Sequence, residues 1–474
     1  MEIIGRKTEQ NQLTDWLNSG KPEFVAVYGR RRIGKTYLIK EYFKQRFSFY
    51  TTGVANLKMK EQLRLFGDNL RKYGSEESGN PCDWFDAFRR LQELIESGKT
   101  FHDPVSGRVV VFIDELPWMD SPRSNFKEAL DYFWNSYASS KPEIFLIVCG
   151  SATSWIIKYL LSSRGGLHNR VTRQIDLKPF TLQECEEYFR NNGIVMTRHQ
   201  IIENYMVFGG IPYYLDLLDR RMSLAQNIDV LCFTENGQLR YEFERLYASL
   251  FRNSDRHMEI IRVIAKAKSG TTRAQLASNP KIGDGEALTE ALSELCQCGF
   301  IRKYKDFGKS KRGFIYQVID PYTLFYLDFI ESEKVQSWLS HIDSPGYYSW
   351  AGYAFELVCL LHTNEIKKAL GISGMETMVS AWKSRKIEGG AQIDMLIDRK
   401  DGVINVCEMK FSEAEYEISD QYEKNIRNKL EVFRKESKTR KALHTTMITS
   451  NGLHHNEHSQ IVVKELSAND FFQH

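Results

Sequence analysis

Three short apolar runs with no polar alternation lie in the first third of the chain: FVAVY at 24–28, VVVFI at 109–113 and IFLIVC at 144–149. A strand covered by helices on both faces buries every side chain, so such runs predict central strands of a parallel sheet. Each run ends in a polar group: GRRRIGKT at 29–36, Asp114-Glu115, and Gly150-Ser151. Helical spacing follows in YLIKEYFKQRF and again between 177 and 218, in LQECEEYFRNNG and HQIIENYMVFGG. HMEIIRVIAKAKSG, TTRAQLAS and GEALTEALSELCQCG then predict three short helices, the last with Ala287, Leu288, Ala291, Leu292 and Leu295 on one face before Gly299. FIRKYKDFGKSKRGFIYQVID reads as two strands around a glycine-containing turn.

PYTLFYLDFIESEKVQSWL continues the helical pattern, and SPGYYSW reads as a boundary near Ser344. Beyond it, AGYAFELVCLLHTNEIKKAL predicts an amphipathic helix carrying Glu356. QIDMLID and VINVCEMK predict a hairpin turning at 399–402, followed by a helix in QYEKNIRNKLEVFRKE and a strand in ALHTTMITSN.

At 474 residues the chain exceeds what one core supports, and about three or four domains are expected. With 42% hydrophobic, 26% charged and 12% aromatic residues it has the makings of several cores and no disorder signature. The sequence has no apolar run of about 18 residues, and its start, MEIIGRKTEQ, is charged from the second residue. Neither a membrane span nor a signal peptide is expected, and the cytoplasm is the default location. Eight scattered cysteines fit reduced thiols. A net charge of +3 identifies no partner, so any nucleic-acid signal must be local.

The order strand, GRRRIGKT, helix is the context that a G-x-x-x-x-G-K-S/T phosphate loop requires. Its glycines let backbone N–H groups turn toward phosphates; Gly29, Arg30, Arg31, Arg32, Ile33, Gly34 and Tyr37 frame the loop. Lys35 would reach the outer phosphates, and the Thr36 hydroxyl suits Mg²⁺. At the end of a second strand, Asp114 would hold Mg²⁺ through water and Glu115 would polarise the attacking water. Ser151, ending the third run, can both sense a γ-phosphate and cap a helix.

IGRKTEQNQL, YGRRRIGKT, FIDELPWM, LIVCGSATSWI and GGIPYYL together resemble the archaeal-type ATPase family, a branch close to AAA+ and STAND ATPases, over roughly residues 1–235. The resemblance implies an α/β fold: an ASCE-type P-loop ATPase with a parallel sheet and a helical lid, binding ATP and Mg²⁺. It further implies that Ile4, Gly5 and Arg6 lie against the adenine, that Pro212 is a nucleotide-sensing lid proline, and that Arg170 points at the γ-phosphate.

The three helices and hairpin resemble a winged helix-turn-helix. Its wing concentrates Arg302, Lys303, Lys305, Lys309, Lys311 and Arg312 against one Asp306, with Tyr304 and Phe307 interleaved, as phosphate contacts to DNA would require. A solvated hairpin or a module packing on the ATPase would give the same composition.

Asp394 and Glu408 are one hairpin apart, so antiparallel pairing brings both carboxylates to the same edge. Lys410 follows on the same face. Two carboxylates can hold a hard divalent cation while the lysine acts on water and phosphate, and Glu356 offers a third ligand. This arrangement resembles the PD-(D/E)xK nuclease core, although Ile393 replaces the proline of the name. A C-terminal α/β restriction-endonuclease-like domain is expected.

The expected domains are 1–178 (ATPase core), 179–235 (lid), 236–335 (winged helix) and 344–474 (nuclease-like). The expected function is ATP hydrolysis coupled to a Mg²⁺-dependent nuclease-like domain acting on DNA. Partner-protein contact or self-association would go through the ATPase or the winged helix. The alternative is an ATP-switched DNA- or protein-binding regulator whose nuclease-like domain is inactive.

Overall fold

The unbroken apolar runs are strands that meet no water. β1 (Glu23–Tyr28), β2 (Phe49–Thr52), β3 (Val109–Asp114), β4 (Ile144–Cys149) and β5 (Arg173–Asp176) form a sheet in the order β2-β3-β4-β1-β5, parallel throughout. β1, β3 and β4 are buried along their whole length. The computed structural model describes residues 3–162, 170–251, 253–268, 270–308, 314–333, 335–384 and 391–473. The chain divides into two compact units, Met1–Pro179 and Phe180–His474.

In the first unit, alternate residues of each central strand pack to opposite sides. Phe24, Val111 and Leu146 join Leu91 and Phe133 of the helices Trp84–Glu96 and Phe126–Ser136. Val25, Phe112 and Ile147 join Leu13 of the helix Lys7–Leu17 and Leu38 of the helix Lys35–Tyr42. Because the strands are parallel, the ends of β1, β3 and β4 deliver the phosphate loop, Asp114-Glu115 and Ser151 to one edge of the sheet.

Arg108, buried just before β3, fastens the C-terminal end of the helix Lys7–Leu17. Its guanidinium donates to the carbonyls of Leu17 (3.0 Å), Trp16 (3.0 Å), Lys21 (2.6 Å) and Pro142, and to Ser19 Oγ (3.1 Å). The last carbonyls of a helix have no partner within it, and here a cation supplies one.

The second unit opens with the helices Leu182–Asn191 and Arg198–Phe208, each started by a capping box: Thr181 with Glu184, and Thr197 with Gln200. The helices Ser254–Lys266, Arg273–Ala277 and Glu286–Gln297 follow. With them goes a small sheet of β6 (Thr271–Thr272), β7 (Ile301–Lys305) and β8 (Phe314–Val318), in the order β6-β8-β7. SPGYYSW is the first turn of a helix: Pro345–Leu361 begins there because Ser344 caps Tyr347 N–H and Pro345 has no N–H to leave unpaired.

A second five-stranded sheet contains β9 (Thr377–Lys383), β10 (Gln392–Arg399) and β11 (Val403–Lys410). After β12 (Tyr416–Glu417) and the helix Asp420–Ser437 come β13 (Ala442–Thr449), β14 (Leu453–His454) and β15 (Lys464–Ser467). The sheet order is β15-β13-β11-β10-β9. β9, β10 and β11 are antiparallel, and β11, β13 and β15 are parallel; β12 pairs with β14. One apolar core runs through the unit, from Leu182 through Tyr247, Leu292 and Phe325 to Phe355, Met395 and Phe471. Among the described residues, no helix is long and apolar enough to cross a membrane.

Arg108→Met keeps the stem of the side chain and removes the donors. It should cost about 3 kcal/mol by leaving several carbonyls unanswered, which lowers the melting temperature of this unit by roughly 6 to 12 °C in calorimetry. An unchanged midpoint would mean that water caps these carbonyls as well as the guanidinium does.

Candidate functional site

The phosphate loop leaves β1 through Gly29, whose φ of 137° and close approach to the Leu177 carbonyl leave no room for a Cβ. Arg32 (φ 71°) and Gly34 (φ 89°) are also left-handed, so the chain curls before the helix Lys35–Tyr42 starts. Arg30 and Ile33 are buried, Arg31 and Arg32 half-buried, and Tyr37 is largely exposed. Lys35 is buried, with Nζ donating to the carbonyls of Gly29 and Arg30, both at 2.9 Å. Ile4, Gly5 and Arg6 lie beside the loop, where buried Arg6 donates from Nη2 to the Ile33 carbonyl (3.4 Å).

Asp114 joins three strand ends. Its carboxylate accepts from Thr36 Oγ1 (3.0 and 3.1 Å), Cys149 Sγ (2.6 Å) and the Glu115 N–H (2.9 Å). Burial pushes its pKa up, and the nearby Glu115 charge adds to the shift while the hydrogen bonds oppose it. Glu115 is left-handed at φ 46°, a costly conformation for a residue with a side chain. Its Oε2 accepts from the Ser151 N–H (3.1 Å) and Oγ–H (2.9 Å). Loop, acidic pair and serine therefore converge as the spacing implied. Arg170 is elsewhere occupied, with Nε 3.4 Å from Asp131 Oδ1. Pro212 begins the helix Pro212–Leu215 in the second unit.

In the second unit, the register pairing Met395 with Cys407 puts Asp394 and Glu408 one step further along, opposite one another on one face. The β9–β10 register shifts between Ile393 and Leu396, so Asp394 sits at an irregularity of the kind that re-aims a side chain. Gln392 Nε2 donates to Asp394 Oδ1 (2.5 Å). Glu356, on the helix Pro345–Leu361, has its pKa pushed up to about 8, first by burial, then by the Asp394 charge; Glu408 adds to this, and Lys410 and Lys429 oppose it. Asp394, Glu356 and Arg302 line one cavity of about 520 Å³.

Two pairings of Glu408 with the helix Asp420–Ser437 were not expected from the sequence. Lys429 Nζ bonds both oxygens of Glu408 (2.8 and 2.9 Å), and Tyr422 donates to Glu408 Oε2 (2.7 Å). Lys410 instead lies over the Tyr422 ring, 4.7 Å from its centroid. The helical spacing of Tyr422 and Lys429, two turns apart, was the available signal. Cys149 had none beyond its place at a strand end. Among the described residues, the three-ligand group with donor atoms within 4.8 Å is a different one, His199, Glu203 and Glu413.

The basic strip of the hairpin is split by strand alternation. Arg302 lines the cavity, whereas Lys303 and Lys305 lie over the Phe314 ring at 4.1 and 4.9 Å. Lys309, Lys311 and Arg312 lie outside the described residues.

Folded Glu356 holds its proton up to about pH 8, against an ordinary value of 4.5. Between these values the folded state binds more protons than the unfolded one, so the stability contributed is full below pH 4.5 and falls as pH rises through about 8. Glu356→Gln, neutral throughout, should therefore melt higher than wild type above about pH 8, with the gap closing toward pH 4.5. A pH-independent gap in thermal melts would assign the effect to packing.

Residues 4–218 match the family described as an ATPase domain predominantly from Archaea. The uncharacterized protein MJECL04 of Methanocaldococcus jannaschii is 24% identical over 409 residues, covering 83% of this chain and 84% of its own, so the similarity extends beyond that domain. Among solved structures, the Walker-type ATPase PABY2304 of Pyrococcus abyssi aligns with 69% of this chain and 96% of its own, at 20% identity and a TM-score of 0.49. The ORC2 protein of Aeropyrum pernix aligns with 70% of this chain and 95% of its own, at 15% identity and a TM-score of 0.34. Residues 4–218, the part of the chain that matches this ATPase-domain family, contain the phosphate loop, Asp114, Glu115 and Ser151.

Proposed function

We propose that the protein binds ATP with Mg²⁺ at residues 29–36, hydrolyses it, and couples its nucleotide state to a nuclease-like C-terminal domain acting on DNA. The observation that carries the hydrolytic half is the left-handed Glu115, whose carboxylate is fastened by Ser151 at the end of the neighbouring strand. Such strain is retained where a side chain must be aimed. Lys35 then serves the outer phosphates, Glu115 orients water and Ser151 reports on the γ-phosphate. Arg170, whose Nε lies 3.4 Å from Asp131 Oδ1, would stabilise charge on that phosphate. The Thr36 hydroxyl and Asp114 carboxylate, in contact at 3.0 Å, are the hard oxygen donors that fit Mg²⁺, which when bound neutralises phosphate charge.

In the second unit, we read 179–235 as the lid with Pro212 its sensor, 236–335 as a winged helix, and 344–474 as the nuclease-like domain. Asp394, Glu408 and Glu356 fit a divalent cation, because Asp394 and Glu408 raise the cost of charge on Glu356 and a cation would remove it. Lys410 would act on water and phosphate, and Lys303, Lys305, Lys309, Lys311 and Arg312 would contact DNA. One observation favours the second reading, an ATP-switched regulator with an inactive nuclease-like domain: Lys429 occupies both oxygens of Glu408.

Lys35→Ala should abolish nucleotide binding by equilibrium dialysis. Glu115→Gln should keep binding and slow hydrolysis by about a hundredfold or more. Equal turnover by wild type and Glu115→Gln would remove Glu115 from the role.

Asp394→Asn and Glu408→Gln should each eliminate Mn²⁺-dependent DNA cleavage and leave ATP turnover intact. Lys429→Met should tighten Mn²⁺ binding in calorimetry by releasing Glu408. Wild-type protein that cleaves nothing, with Mn²⁺ binding indifferent to Asp394→Asn, would establish the regulator.

A further inference from the structure

The cavity that holds Asp394 and Glu356 has a second wall from outside the sheet that bears them. β7 and β8 contribute Arg302, Tyr304 and Gln317. The hairpin is attached to the edge strand of that sheet: Asp306 bridges to Ala381 of β9, Phe307 N–H donates to the Ala381 carbonyl (2.9 Å), and the Phe307 ring lies 5.1 Å from that of Phe433.

Within the cavity the Arg302 guanidinium lies 4.2 Å from the Tyr304 ring centroid and donates from Nε to Gln317 Oε1 (2.8 Å). Among the described residues, it has no carboxylate within ion-pair distance, although Asp394 is near enough for the two charges to act on one another. A half-buried guanidinium stacked on a ring and presented without a carboxylate is suited to an oxyanion brought by a ligand. Tyr353 and Trp382 add further aromatic surface. The volume, about 520 Å³, is that of a small-ligand pocket. A duplex, whose major groove alone is about 12 Å wide, does not fit it.

We propose that this cavity takes one unpaired nucleic-acid strand, Arg302 holding a backbone phosphate on the side facing Asp394 while a base lies against the aromatic wall. Cation and ring together are the features that single-strand sites use. The proposal rests on the nuclease-like reading of Asp394 and Glu356 and gives that site its substrate class. The attached hairpin is then part of the site, and the strand enters without its displacement.

The test uses the full chain and a short fluorescein-labelled oligothymidylate, followed by anisotropy in EDTA so that cleavage does not intervene. Arg302→Gln should weaken binding about tenfold and lower the salt slope by about one, with Arg302→Lys recovering most of the slope. Unchanged affinity in Arg302→Gln would overturn the proposal, as would equal loss in Arg302→Lys and Arg302→Gln, which marks a packing role. A disulfide across the bridge, from Asp306→Cys with Ala381→Cys, supplies a variant in which Arg302 is intact. Oxidised, it should bind oligothymidylate as the reduced form does, and discriminate against the same strand in duplex form. Loss of single-strand binding on oxidation would show that the hairpin must leave, and the proposal fails. If the strand binds through Arg302 but Mn²⁺ brings no cleavage, the nuclease reading falls and this site stands. If duplex is cut and Arg302→Gln changes nothing, the reverse holds.

Discussion

A carboxylate removed from water has to be answered by donors, and Asp114 is answered from three directions: Thr36 from the phosphate loop, Cys149 from β4, and its own neighbour's N–H. Those contacts tie the ends of β1, β3 and β4 to one point. The parallel sheet makes them possible, because only there do successive strands finish at the same edge. The left-handed turn at Glu115 follows from the same constraint: with Asp114 facing inward, the next side chain reaches Ser151 only if the backbone reverses its twist.

The second unit solves a different problem. Its sheet ends at β9, an edge whose unpaired groups invite further pairing. The hairpin of β7 and β8 meets that edge through Ala381 and seals the contact with Phe307. An element that looks from its charges like a free DNA-binding wing is thus partly a covering for the neighbouring sheet. Alternation along β7 gives its two faces different work, Arg302 and Tyr304 inward to the cavity and Lys303 and Lys305 toward Phe314.

What could be read from the sequence was what chemistry or burial constrains at adjacent positions. The loop 29–36, the acidic end of β3 and the hairpin carrying Asp394 and Glu408 are local patterns. β2 and β5 were not legible: FYTT and RQID are too short and mixed to announce a strand, and they exist because β3 and β1 offer them pairing. The partners of Arg108 and Lys429 escaped for a related reason, since each is an ordinary cation in sequence and acquires its role from carbonyls or a carboxylate brought from elsewhere along the chain.

Cys149 carries a consequence for how the nucleotide site can be watched. Burial and the neighbouring Asp114 carboxylate push its thiol well above the ordinary range, so the reactive thiolate is scarce while β4 stays packed. Cys82, by contrast, is exposed. An alkylating reagent thus consumes Cys82 at once and reaches Cys149 only when the strand ends separate. The native chain consequently contains both a clock and its reference: the ratio of the two labelling rates reports the free energy of local opening around Asp114, with no foreign probe at the site.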